Sequence, residues 1–222
     1  MVGTKMINAI LLGPPGAGKG SVAKLIADHY HIPHISTGDM FREAIAAGTE
    51  VGKLAATFIN AGKLVPDDVT IALVKERIQA PDCQHGFMFD GFPRTLPQAE
   101  ALQKLLVSIQ RPINTVMEFD CDRTELIRRI TGRRVCKVCG TPYHVDTMKP
   151  KVDGICDRDG GPLIQRKDDN LEALTVRLKA YEDQTFPLIG FYKALGLITP
   201  FDGAKKTKDL FQDVKAFLDR LA

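Results

Sequence analysis

Short apolar runs alternate along the chain with longer stretches in which apolar residues recur every three or four positions. The runs Ile7–Leu12, His34–Ser36, Phe87–Asp90, Thr115–Asp120 and Leu197–Phe201 predict strands, because a strand covered on both faces reads as near-continuous apolar sequence. Helical stretches separate them. In the clearest, the last, Leu210, Val214, Phe217 and Leu221 recur at helical spacing and read as core packing. Alternating strands and helices predict an α/β fold with a parallel five-stranded sheet flanked by helices.

Two segments interrupt the alternation. Between His34–Ser36 and Phe87 lie three helical patterns, broken at Gly48 and at Gly62 with Pro66. From Gly132 to about Asp169 the chain turns rich in Gly, Pro, Asp and Cys. That stretch is too long for an ordinary connection and predicts a functional loop or a small inserted domain.

A chain of 222 residues has room for one or two domains and a sizeable core. With 44% hydrophobic and 26% charged residues it has ordinary soluble composition. The net charge of +3 is too small to imply a nucleic-acid or membrane surface. No apolar run approaches the roughly 20 residues that span a bilayer, and the start lacks a signal-peptide pattern. A cytoplasmic, monomeric enzyme with no nucleic-acid or membrane partner is therefore expected. Met6, immediately before the first apolar run, is a candidate start.

The most telling chemistry follows the first predicted strand. Gly13-Pro14-Pro15-Gly16-Ala17-Gly18-Lys19-Gly20-Ser21 leads into a helical pattern carrying Val22, Leu25 and Ile26. Strand, glycine loop, lysine and helix form the layout of a phosphate-binding loop. Glycines let successive backbone N–H groups turn inward, the helix start favours an anion, and Lys19 adds a mobile cation. The hydroxyl of the generic motif comes one place late, at Ser21, after Gly20.

Cys136-Lys137-Val138-Cys139 and Cys156-Asp157-Arg158-Asp159 place potential ligands three apart in two tight knuckles. Three thiolates and the Asp159 carboxylate would close a tetrahedral structural zinc site with no open position. His144 is a competing fourth ligand; Asp159 is preferred because it mirrors the first knuckle. Cys83 and Cys121 read as core or loop residues.

Asp90-Gly91-Phe92-Pro93-Arg94 ends a predicted buried strand. Asp90 there is placed to hold Mg²⁺ through water, and Arg94 to clamp a phosphate. The bland alternative is a turn with a surface ion pair. Arg129 and Arg133 share a face if the helix continues past Gly132, and Arg166 and Arg177 flank the far end of the insert beside Asp168 and Asp169. Any one of them alone would read as a surface residue. Phosphoryl transfer, however, needs converging cations more than a nucleophile.

Taken together with Ser36-Thr37-Gly38-Asp39-Met40-Phe41-Arg42 and Arg166-Lys167-Asp168-Asp169-Asn170, these motifs resemble the adenylate kinase family, in its longer bacterial-type form with a zinc-bearing lid. The resemblance covers essentially the whole chain from Met6. It implies a P-loop kinase that converts ATP and AMP to two ADP with Mg²⁺. Residues 1–35, 66–131 and 170–222 would form the core, 36–65 a helical nucleoside-monophosphate-binding insert, and 132–169 the lid. Gly16, Ala17, Gly18, Lys19, Gly20 and Ser21 would hold the ATP phosphates, and Arg133, Pro142, Tyr143 and Lys205 would also contact ATP. Thr37, Arg42, Lys63, Leu64, Val65, Gly91, Phe92, Pro93, Arg94 and Gln98 would hold AMP, with Thr37 and Gln98 reading adenine. Arg166 and Arg177 would contact the AMP phosphate or the transferring group. Lys19, Arg94, Arg129, Arg133, Arg166 and Arg177 would form the catalytic set, with Asp90 holding hydrated Mg²⁺. Lid closure would exclude water as a competing acceptor.

Two rivals remain at this point. A kinase for another nucleoside monophosphate differs only in base readout. A zinc-knuckle nucleic-acid module would need a strongly basic or aromatic surface; aromatic residues are only 7%, and the insert carries Asp146, Asp153, Asp157 and Asp159.

Overall fold

The computed structural model describes residues 6–221; the segment ahead of Met6 lies outside the described residues. In chain order the elements are β1 (Ile7–Leu12), α1 (Lys19–Tyr30), β2 (His34–Ser36), α2 (Thr37–Ala46), α3 (Glu50–Ile59), α4 (Asp67–Arg77) and β3 (Gly86–Asp90). They continue with α5 (Leu96–Ser108), β4 (Thr115–Asp120), α6 (Arg123–Thr131), β5 (Arg133–Cys136), β6 (Pro142–His144) and β7 (Leu163–Ile164). The last are α7 (Leu171–Ala180), α8 (Pro187–Ala194), β8 (Ile198–Asp202) and α9 (Thr207–Leu221).

The expected five-stranded sheet is present, in the order β2-β3-β1-β4-β8, and every pairing is parallel. All six residues of the central β1 are buried, as a strand covered on both faces requires. Alternate residues serve opposite layers. Ala9 and Leu11 pack with α1, α6, α7 and α9 through residues such as Val22, Ile130, Leu174 and Val214. Ile10 and Leu12 pack with α4, α5 and α8 through Val74, Leu102 and Leu188. Two strands differ by a residue from the prediction, β3 at its start and β8 at both ends. Gly86 joins β3 by pairing with Ile7, while Leu197 precedes β8 yet accepts a bond from the Val116 N–H at 2.8 Å. On α9 the fully buried positions are Leu210, Val214 and Leu218, with Phe217 and Leu221 packed at the margin.

The helical insert carries a small apolar core of Phe41, Ala55 and Val65, flanked by Ile45, Phe58, Ile59, Val69 and Leu73. Its helices cross closely at Gly52, where an added Cβ would lie 2.1 Å from the Ala44 carbonyl oxygen.

The second insert is a three-stranded antiparallel sheet, β6-β5-β7. Its buried cluster is Cys136, Tyr143 and Cys156, packed by Cys139 and Leu163, and Val135 and His144 are buried beside it. The helix bearing Arg129 does not continue to Arg133. It ends at Thr131, capped at Gly132, and Arg133 opens β5. The His144 ring lies against Gly132, 2.3 Å from where a Cβ would stand, so a side chain there would force the ring to move. Among the described residues, no helix is long and apolar enough to cross a membrane.

Candidate active site

The strand-to-helix loop after β1 takes the shape its sequence requires. Gly18 has φ +84°, a left-handed conformation open to glycine, and forms the start of α1. Helix α1 has no side-chain cap and no acidic residue in its first turn. Helices α2, α3, α5 and α7, by contrast, are capped by Ser36, Thr49, Thr95 and Asn170. An uncapped helix start below a glycine loop presents free N–H donors to an anion. Lys19 Nζ donates to the carbonyls of Gly13 and Pro14 at 2.6 and 2.8 Å. Burial pushes its ammonium down to about 8; Asp90 opposes the shift, and Arg94, Arg177 and Arg133 add to it. A polyphosphate would favour the charged form.

Asp90 stands at the C-terminal end of β3, paired in register with Leu11 just before the loop. Its Oδ2 meets His34 Nε2 at 3.2 Å and lies 3.4 Å from the position a Gly20 side chain would take. Burial pushes the carboxyl up, but the His34 bond and the nearby Lys19 outweigh it, so the group titrates below the ordinary aspartate range. It is an ionised carboxylate beside the phosphate loop, the donor type that suits hydrated Mg²⁺.

The arginines converge from separate elements. Arg133 binds the fully buried Asp169 through two nitrogens, the Nε bond measuring 2.8 Å. The two hydrogen bonds and the Asp169 charge outweigh burial and raise the guanidinium pKa further. Arg177 Nη1 donates to Asp168 at 3.0 Å, and Arg166 Nη2 to Asp39 at 3.1 Å. Burial lowers both to about 10, and neighbouring arginines add to the effect. Arg42 shares Asp39 at 2.6 Å. Burial pushes Asp39 up, but Arg42 and Arg166 more than reverse it and hold the carboxyl at about 2. Arg94 Nε donates to the Gly91 carbonyl at 2.8 Å, and burial lowers its guanidinium. The pairing carboxylates hold several guanidinium groups close together and neutralise part of their repulsion.

Other residues named from sequence are engaged elsewhere in this structure. Arg129 lies near Gly18 but donates to Glu125 and to the carbonyls of Gly203 and Ala204. Lys205 is exposed and paired with Asp213 at 2.6 Å. Tyr143 is buried, its hydroxyl donating to Cys156 Sγ and accepting from the Asp157 N–H. Its neighbour Pro142 opens β6 and is half-buried. Thr37 donates to the Gly91 carbonyl at 2.8 Å. Gln98 bonds Arg94 and Asp67. At the end of the helical insert Lys63 is exposed, Leu64 is half-buried and Val65 is in the core. Gly91, Phe92 and Pro93 follow β3, with a cis peptide between the last two.

Ligand atoms of Cys136, Cys139, Cys156 and Asp159 lie within 4.8 Å of one another. The Cys139–Cys156 sulfur separation of 3.7 Å matches the edge of a tetrahedron with metal–sulfur bonds of about 2.3 Å. Backbone N–H groups of Val138 and Arg158 point at the sulfurs of Cys136 and Cys156 at 3.3 and 3.4 Å, an arrangement that stabilises thiolates. This donor set fits a four-coordinate metal. His144 is not among it: Nδ1 accepts from the N–H groups of Asp146 and Thr147, and Nε2 faces the Arg128 carbonyl.

Several partners escaped the sequence reading: Asp39 between Arg42 and Arg166, His34 on Asp90, and Thr185, whose hydroxyl donates to the Arg94 carbonyl. The pair Thr95 and Gln98 does carry a sequence signal, the Thr-x-x-Gln pattern of a helix start.

A glycine loop opening a helix, faced by clustered guanidinium groups, suits transfer of a phosphoryl group between nucleotides, and the fold and site together define a nucleoside monophosphate kinase. Residues 11–197 match the family model described as adenylate kinase. Relatives named adenylate kinase include one from Caldanaerobacter subterraneus subsp. tengcongensis, 49% identical over 96% of this chain and 96% of its own length. Another from Bacillus subtilis is 48% identical over 97% of this chain and 99% of its own. A third, from Archaeoglobus fulgidus, is 47% identical over the same shares. The chain belongs to the adenylate kinase family.

Proposed function

We propose that the enzyme transfers the γ-phosphoryl group of ATP to AMP, reversibly, giving two ADP. The observation that carries this reading is the convergence of Lys19 and four arginines, Arg94, Arg133, Arg166 and Arg177, beside the uncapped start of α1. The reaction is in-line attack by an AMP phosphate oxygen on the γ-phosphorus, with no covalent enzyme intermediate. Gly16 to Ser21 bind the ATP phosphates through backbone N–H groups. Lys19 leaves the Gly13 and Pro14 carbonyls for the outer phosphates, and the arginines offset charge on the transferring group. Arg129 takes part from its place beside Gly18 by exchanging carbonyl partners for phosphate. Pro142, Tyr143 and Lys205 belong to the ATP side. Thr37, Arg42, Lys63 to Val65, Gly91 to Arg94 and Gln98 belong to the AMP side. Asp90 holds hydrated Mg²⁺, which when bound with ATP neutralises phosphate charge.

Residues 36–65 act as the monophosphate-binding unit and 132–169 as the lid, on a core formed by the rest. Cys136, Cys139, Cys156 and Asp159 hold a structural Zn²⁺ that closes the lid's fold and takes no part in the chemistry. The enzyme works as a cytoplasmic monomer. A coupled assay of ATP with AMP, GMP, CMP and UMP in parallel tests the reading: AMP is expected to be strongly preferred, and equal use of GMP or UMP would refute the base assignment.

A further inference from the structure

Gln98 is 2% exposed, and its side chain is held from both ends. Its Oε1 accepts from the Arg94 backbone N–H at 2.8 Å. Its Nε2 donates to Asp67 Oδ1 at 2.7 Å. The other Asp67 oxygen accepts from the Thr95 hydroxyl at 3.0 Å, whose oxygen in turn accepts from the Gln98 N–H at 3.3 Å. Asp67 opens α4, and Thr95 caps α5, so the carboxylate ties two helix starts together. A backbone N–H can only donate, and an ionised carboxylate can only accept. The network therefore admits one of the two amide orientations.

A Gln in this position could serve as a helix cap alone. In the usual capping box, however, the side chain reaches back to the cap residue's own N–H. Here it reaches one residue further, to Arg94, and extends its nitrogen to a different helix.

We propose that Asp67 is a positioning residue for base selection: it locks the Gln98 amide in the orientation that accepts a 6-aminopurine and rejects a 6-oxopurine. The inference rests on the reading of Gln98 as the base-facing group. With its two bonds made, the amide keeps one N–H and one lone pair. Adenine presents an acceptor, N1, and a donor, the 6-amino group, which match that pair. Hypoxanthine and guanine present the reverse, an N1–H donor and an O6 acceptor. Reading them requires the amide to turn over. That would set Oε1 against the Asp67 carboxylate and Nε2 against the Arg94 N–H at a buried residue, leaving both contacts unfavourable.

The test uses the full-length enzyme, ATP, and AMP or IMP as acceptor, because IMP carries the 6-oxo edge without the 2-amino group of GMP. Asp67→Asn keeps the shape and removes the carboxylate end of the lock, leaving only the Arg94 N–H to oppose a turned amide. The expected result is that the AMP-over-IMP ratio of kcat/KM narrows by about tenfold or more. The change should lie mainly in KM for the monophosphate, with KM for ATP unchanged. A wild-type ratio in Asp67→Asn overturns the lock. Gln98→Ala separates the two layers: if it also keeps the wild-type ratio, Gln98 does not read the base; if it loses the ratio while Asp67→Asn keeps it, only the lock fails. Should Asp67→Asn not fold, the wild-type crystal structure with AMP decides. Gln98 must contact the base while its Nε2 stays bonded to Asp67, and loss of that bond in the complex overturns the proposal.

Discussion

The two inserts are held together by different physics. The helical insert buries Phe41, Ala55 and Val65 and surrounds them with five further apolar side chains. Its helices are capped by Ser36 and Thr49. The other insert has strands of two to four residues, and its buried cluster is two cysteines and a tyrosine. Val138, Val152 and Ile155 on it are exposed. Strands this short with so little apolar burial do not hold a fold alone. A metal held by the four-ligand cluster, as proposed, would supply what the core lacks. One insert should therefore respond to loss of apolar volume and the other to loss of metal.

The largest effect is expected from Cys156→Ser. Losing one of four ligands should forfeit much of the roughly 10 kcal/mol or more that a structural zinc contributes to local folding. Limited proteolysis should then cut within residues 133–164, KM for ATP should rise, and the helical insert should stay intact. Phe41→Ala is the converse. Phe41 is 4% exposed, and its truncation should cost about 3–5 kcal/mol of local stability. KM for AMP should rise with metal content unchanged, and a fall in metal content would break the contrast. Lys19→Met should spare both inserts. It should lower kcat on the order of a hundredfold, about 2.7 kcal/mol, with an unaltered circular dichroism spectrum; near-normal turnover would remove Lys19 from the mechanism.

The smallest effect is a pH dependence. In the free enzyme the Lys19 pKa is lowered to about 8, chiefly by burial. Raising pH through that value removes the cation, so kcat/KM for ATP should fall by about a decade per unit well above it. Lys19→Met should lack this limb. A wild-type profile flat to pH 9.5 would contradict the shift.

The large features were legible because they repeat or cluster in sequence. Continuous apolar runs announced the parallel sheet, and Gly48, Gly62 and Pro66 marked the helix ends. The two cysteine knuckles were visible because each is local. Pairings over long separations were not legible. Gln98 and Asp67 are 31 residues apart, and Arg166 and Asp39 are 127 apart. No periodicity encodes such contacts. Strands β5 to β7 were missed because two to four residues are too few to show alternation. The orientation of Arg133 depended on whether a helix passed Gly132, which the sequence pattern left open.

The contrast between the inserts is tested most directly by hydrogen exchange on the purified enzyme, read by mass spectrometry before and after a strong chelator, with zinc measured alongside. The account predicts about one zinc per chain, set by one four-ligand cluster. After chelation, peptides from 133–164 should lose their protection while those from 37–65 keep theirs. Metal-free protein with a protected lid, or equal loss of protection in both inserts, would contradict it.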